Sequence, residues 1–163
     1  MRFDLVHSFP TSVDEVAATL LDPDFQASLS DVGALKERTV VSERPTTDGG
    51  VVRAIRCVLA LNVSGAAKRF LGDSDPAWIQ EETWDPKSRT WSWVVQPEVA
   101  SELLSAHGTT VVRGDQSKAE RVVTGEVKVH VPLYGGRVES WIVDGIERAY
   151  DEEAQRLAAW IAR

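Results

Sequence analysis

The run Val127-Lys128-Val129-His130-Val131-Pro132-Leu133-Tyr134-Gly135-Gly136-Arg137-Val138-Glu139 passes without a break into an amphipathic segment that continues to Arg163. It predicts a strand feeding a long final helix that starts near Gly135. Val138, Trp141, Ile142, Gly145, Ile146, Ala149, Leu157, Trp160 and Ile161 recur near helical spacing, a stripe interrupted by Glu153. A protein helix takes most of its stability from the packing of its apolar face, so a helix this long in a small domain needs a sheet wrapped around it. The expected fold class is α+β, a curved antiparallel sheet around a C-terminal helix, which is an architecture of ligand cavities.

Composition narrows the partners. With 163 residues, 43% of them hydrophobic, residues 1–163 fit one domain with a sizeable core. The 25 acidic against 18 basic residues give a formal charge of −7, which repels phosphate backbones and argues against nucleic acid. One cysteine allows no intrachain disulfide, and Met1-Arg2-Phe3-Asp4 lacks the apolar core of a signal peptide, so the cytoplasm is the expected location. Apolar runs such as Val58-Leu59-Ala60-Leu61 are far shorter than the roughly 20 residues of a membrane span, so no integral membrane segment is expected. Asn62-Val63-Ser64 matches a glycosylation sequon and, without an export signal, reads as chance.

Alternation over Arg2 to Phe9 predicts a first strand with Phe3, Leu5, His7 and Phe9 on one face. Pro10 stops it. Thr11 or Ser12 then caps a helix carrying Val13, Val16, Ala17, Leu20 and Leu21 at helical spacing, and Asp24 to Val32 reads as a second short helix. Strands over Leu35 to Arg44 and Gly50 to Leu61 flank a Pro45 to Gly49 turn. Ser64 to Gly72 has a helical start and a glycine stop. A hairpin follows, with Trp78 to Trp84 and Arg89 to Gln96 on either side of Asp85-Pro86-Lys87-Ser88. Pro97 to Ala106 reads as a loop entering a strand at Thr109 to Arg113. Glu120 to Val131 is the last strand, with Val123, Val127, Val129 and Val131 inward and Glu120, Glu126, Lys128 and His130 on a wet face.

In this order, with two short helices after the first strand and about seven strands in all, the chain resembles the START-like superfamily of helix-grip proteins, which includes lipid-transfer domains and polyketide cyclases. Within it, Thr83-Trp84-Asp85, Gly125-Glu126-Val127-Lys128-Val129 and the Val131 to Glu139 junction look like a family of bacterial proteins of unknown function. The resemblance spans nearly the whole chain. Its motifs sit at strand ends and at the helix entry, so it implies the fold and supplies no catalytic residue.

The tryptophan hairpin carries the sharpest functional expectation. If Trp84 pairs with Arg89, then Trp78, Gln80, Glu82, Trp84, Arg89, Trp91, Trp93 and Val95 share one face, while Ile79, Thr83, Ser92 and Val94 take the other. Four indoles on the concave side make an aromatic wall, with Gln80 and Glu82 as the few polar groups that orient a ligand. A second reading has the indoles filling the core and Glu82 paired with Arg89 or near a rim. Val127 on the last strand and Trp141 on the final helix are expected to complete the lining.

Other residues with chemistry are isolated. His7 on the inner face of the first strand is a candidate general base, though a lone inward histidine is more often held by a backbone or carboxylate partner. His107 sits near a strand start, and His130 lies on the wet face. Asp73-Ser74-Asp75 lacks the spacing and the terminal glutamate of a calcium loop, and one cysteine with scattered histidines makes no zinc pattern, so neither metal nor cofactor is expected. Gly135-Gly136 lacks a nucleotide-binding pattern around it and reads as the hinge of the strand-to-helix reversal. Cys57 in an apolar strand reads as an inert buried thiol.

Two functions compete. One is binding of an apolar or aromatic small molecule, lipid- or polyketide-like, between sheet and helix. The other, which the resemblance implies, is a polyketide cyclase or aromatase in which His7, Glu82 or His107 moves protons on a bound polyketone.

Overall fold

The computed structural model describes residues 1–59 and 75–163. The expected helical start at Ser64 to Gly72, the sequon, and Asp73 with Ser74 lie outside the described residues. The elements are β1 (Arg2–Phe9), α1 (Val13–Leu21), α2 (Pro23–Ser28), β2 (Leu35–Pro45), β3 (Val51–Leu59), β4 (Ala77–Asp85), β5 (Thr90–Pro97), β6 (Leu104–Gly114), β7 (Ala119–Val129) and α3 (Gly135–Ile161). They form a seven-stranded sheet in the order β1-β7-β6-β5-β4-β3-β2, antiparallel throughout. Strands β1 and β2 are neighbours in sequence but occupy opposite edges of the sheet, and α1 and α2 carry the chain from one edge to the other.

Local chemistry explains the element ends. Ser12 caps α1 by accepting from the Glu15 backbone N–H at 3.1 Å, and Asp22 caps α2 by accepting from the Asp24 N–H at 2.8 Å. Pro23 at the start of α2 costs nothing there, because the first N–H of a helix has no intrahelical partner. That second helix ends at Ser28, short of the expected Val32.

Strand β6 begins at Leu104, five residues before the expected Thr109, because Leu104 pairs with Val129 and Ala106 with Val127, two inward valines of β7. Pairing with an existing strand decides the conformation of a segment whose own sequence is ambiguous. The register of the tryptophan hairpin also differs from expectation. Trp84 pairs with Trp91, and Arg89 stays in the turn at φ 51°, where its guanidinium reaches Asp14 at 2.8 Å instead of Glu82. The slip is two residues in pairing, so face parity survives it.

The α1 end of the molecule is closed. Phe9, Val13, Val16, Leu20, Phe25, Leu29, Val112, Ala119, Ala154 and Leu157 form a buried cluster, and Trp160 meets Phe25 edge-on at 5.6 Å. At the other end, α3 lays Ile142, Val143, Ile146 and Tyr150 against Phe3, Val123, Val127 and Trp93. The helix packs on β7, β1 and α1, with no comparable packing on β3, β4 or β5 among the described residues. Its exposed side corrects the expected stripe, since Val138 is 37% and Trp141 49% exposed.

Candidate functional site

One cross-strand row organises the inner face. Glu43, Arg53, Glu82, Trp93, Gly108, Gly125 and Phe3 are successive partners from β2 across to β1. Trp93 lies flat on the glycine side of this row, stacked on Phe3 at 6.2 Å between centroids. Glycine is required there. A β-carbon on Gly108 would come within 2.4 Å of the Trp93 ring, and one on Gly125 within 2.6 Å of the Phe3 ring.

The polar side of the row centres on Arg53, which is 1% exposed. Its Nε donates to Glu43 at 2.7 Å and its Nη1 to the Leu20 carbonyl oxygen at 3.3 Å, near the end of α1. The guanidinium stands 4.9 Å over the Trp91 ring, and Trp84 lies beside that ring at 5.3 Å. Glu82 Oε2 is 3.8 Å from Arg53 Nη1, an ion pair without a hydrogen bond, while Glu82 Oε1 accepts from Gln80 at 2.7 Å. Burial pushes the Glu82 carboxyl above the usual carboxylate range, against the pull of Arg38, Arg53 and the Gln80 hydrogen bond. Its side chain nevertheless keeps 14% of its surface, so it borders accessible space.

A second buried arginine stands two rows away. Arg121, 0% exposed, donates to Glu153 on α3 at 2.5 Å and to the Tyr150 carbonyl oxygen at 2.9 Å. Its Nη2 also lies 3.3 Å from His7 Nδ1. A guanidinium only donates, so Nδ1 accepts and Nε2 carries the proton given to Asp151 at 2.8 Å. The Tyr150 phenol is raised by burial first, then by the charges of Glu153 and Glu82, with the Arg121 charge and then Thr110 partly offsetting them. The Glu153 charge thus reaches both Glu82 and the Tyr150 phenol across the inner face. Cys57, on the same side of β3, has its thiol pushed up to about 11, mainly by burial.

The candidate residues from the sequence separate into groups. Gln80, Glu82, Trp91 and Trp93 come together on the inner face. Trp78, half-buried, pairs with Cys57 and Pro97. Val127 is fully buried beneath α3. His7 belongs to the Arg121 group, Trp141 points away from the sheet cluster, and His107 and His130 are exposed. Sequence reasoning missed Arg53, Arg121, Thr110, Tyr150 and Glu153. The available signal was strand parity: Arg53 alternates with Val51 and Ile55, and Arg121 with Ala119 and Val123, which turns both arginines inward.

Two open grooves adjoin the face. One, of about 660 Å³, wraps the sheet at the ends of β5 and β6, lined by the inward Val95, Leu104 and Ala106 and equally by the outward Val94, Gln96 and His107. The other, of about 430 Å³, lies between β1 and α3 around His7 and Asp151. Neither includes Arg53 or Glu82. Among the described residues, no group of His, Cys, Asp or Glu is placed to hold a metal, and no helix is long and apolar enough to cross a membrane.

A family model described as a protein of unknown function, DUF2505, matches residues 4–161. The chain belongs to this family. No curated protein matches this DUF2505 sequence. Its fold is similar to that of an aromatase/cyclase from Streptomyces, with a TM-score of 0.71 at 11% identity over 100% of this chain and 94% of that one. A START superfamily protein from Mycobacterium smegmatis gives 0.61 at 11% identity, covering 99% and 97%. Norcoclaurine synthase from Thalictrum flavum gives 0.65 at 14%, covering 95% and 91%. At these identities the likeness establishes the fold alone: a curved antiparallel sheet with a long C-terminal helix, the helix-grip arrangement of those structures.

Proposed function

We propose that this DUF2505 protein binds an apolar or aromatic small molecule between the inner faces of β3–β5 and α3, with Gln80 and Glu82 at its polar end. One observation carries the reading. Trp78, Gln80 and Glu82 point inward by strand parity and yet keep accessible surface, on β4, against which α3 has no packing comparable to that on β7 and β1 among the described residues. Concave faces of this kind, mostly apolar with a few convergent polar groups, are where small ligands bind. The structural neighbours include proteins named as an aromatase/cyclase and a norcoclaurine synthase, which fits a scaffold that encloses small organic molecules.

A cyclase-like reaction is the second reading, favoured by a single feature: Glu82 with an elevated pKa close to the Tyr150 phenol. Of the three proton carriers expected from sequence, His107 is on the outer face and His7 is engaged with Arg121 and Asp151. That leaves Glu82. The acidic charge and the single cysteine suit a cytoplasmic protein that avoids nucleic acid, and we include both in the proposal.

Native mass spectrometry of protein purified from its own host tests the binding reading, together with titration of flavonoids, sterols and fatty acids against tryptophan fluorescence. A retained small molecule or saturable quenching supports it. Neither quenching nor thermal stabilisation with any member of the panel sinks it and leaves a packed core.

A further inference from the structure

Arg53 is buried and held on three sides, by Glu43, the Leu20 carbonyl oxygen and the Trp91 ring, with one of its donors left over. Its Nε and Nη1 are used by Glu43 and Leu20, but its Nη2 is buried and has no hydrogen-bond partner among the described residues. A buried donor left unmet costs about as much as a lost hydrogen bond, so such an atom marks a place that an acceptor would stabilise. The adjacent carboxylate is half used as well. Glu82 gives Oε1 to Gln80, while its Oε2 stays 3.8 Å from the guanidinium and accepts no hydrogen bond from the described residues. An unmet donor and a spare acceptor thus sit side by side in one cross-strand pair, Arg53 with Glu82, next to the Trp91 ring.

The protein fixes the positions of these two groups. Glu43 and the end of α1 hold the guanidinium from behind, and Gln80 orients the carboxyl from its own strand. A group with an acceptor and a donor a few atoms apart matches both at once. A lone carboxylate would meet Glu82 as a like charge, and a hydrocarbon would leave Nη2 unmet.

We propose that Arg53 and Glu82 together recognise a hydroxy-carbonyl group on an otherwise flat apolar ligand, with Arg53 Nη2 donating to the carbonyl oxygen and Glu82 Oε2 accepting from the hydroxyl. The inference rests on the binding reading above and narrows it to one ligand chemistry. It sets Glu82 apart from Glu43, which is committed to Arg53, and from Glu153, which is committed to Arg121. It also gives Arg53, which the sequence reading passed over, a part in specificity.

The test uses the full chain and three probes of nearly one shape: 2-hydroxyanthraquinone, whose hydroxyl is too far from the quinone oxygen to bond to it internally, anthraquinone and anthracene, titrated by tryptophan fluorescence and calorimetry. The hydroxyquinone is expected to bind at least tenfold tighter than anthracene, with anthraquinone between them. Glu82→Gln should lower hydroxyquinone affinity about tenfold and reduce the gap between hydroxyquinone and anthraquinone to less than threefold. Arg53→Lys should reduce the gap between anthraquinone and anthracene. Because Arg53 also ties β2 to α1, the Glu82 variant carries the test if the arginine variant fails to fold. Equal affinities for all three probes would overturn the proposal and leave the pocket standing, as would a hydroxyquinone preference unchanged in Glu82→Gln. Absence of saturable binding by any probe would overturn both.

Discussion

Trp93 lies flat against Gly108, so close that a β-carbon on the glycine would sit 2.4 Å from the indole Cζ2. Gly125 on the next strand makes room for the same ring and for Phe3. The stack across β5, β6, β7 and β1 therefore depends on two positions without side chains. Gly125→Ala should overpack it and cost about 1–3 kcal/mol of unfolding free energy, measured by urea denaturation. A cost near zero would mean that Phe3 and Trp93 move aside freely.

Arg121 and Glu153 make the second test. Truncating Glu153 to alanine leaves a guanidinium with no exposed surface short of its carboxylate, and losing one member of a buried pair typically costs about 3–5 kcal/mol. The His7 ring and the Tyr150 carbonyl oxygen remain in place. A loss under about 1 kcal/mol would show that those two contacts suffice.

Trp141→Ala should be mild. A fully buried indole loses about 3–5 kcal/mol on truncation, but Trp141 keeps 49% of its surface, and a loss below about 2 kcal/mol is expected. Thermal and urea unfolding of the variant decide between the two ranges.

Glu82 gives the fold a pH dependence of definite sign. Its folded pKa is raised by burial above its unfolded value, so it is neutral in both states at low pH and costs nothing there. As pH rises from about 4 through the folded pKa, the folded state must accept a buried charge that the unfolded state carries easily, and stability falls. Glu82→Gln should match the wild type near pH 4 and gain on it by pH 8. Urea denaturation at pH 4, 6 and 8 measures the difference, and a constant offset across the series would rule out this origin.

Cys57 should be inert. With its thiol pushed up to about 11 by burial, the native protein should resist a thiol-reactive dye at pH 8 over the time in which the urea-unfolded chain labels fully. Rapid labelling of the folded protein would mean that β3 opens readily.

The strands were legible in the sequence because the period of two is a local property, and their face assignment survived an error in the hairpin register. Arg89 is the residue that misled: nothing in its neighbourhood announces a left-handed turn conformation, and its partner Asp14 lies on α1. The site was less legible for the same reason. Arg53 meets Glu82, Glu43 and Leu20 from three other elements, and Arg121 meets Glu153 across 32 positions of sequence. Glu153, an interruption in the apolar stripe of the final helix, is there to neutralise a charge on a different strand. Trp141 shows the converse, since periodicity places a residue on a face without showing how far the sheet extends beneath it.

The uneven seating of α3 divides the sheet into a braced half and an unbraced one. Strands β7 and β1 are clamped by the helix, while β3 and β4 are held by their neighbouring strands and the Arg53 contacts without it, so their amides should exchange with solvent sooner. A guest seated beside Arg53 would then make itself known as slowed exchange in β3 and β4, with β7 unchanged. For this DUF2505 protein, occupancy would be recorded as stiffness in one half of the sheet and hardly at all as a change of shape.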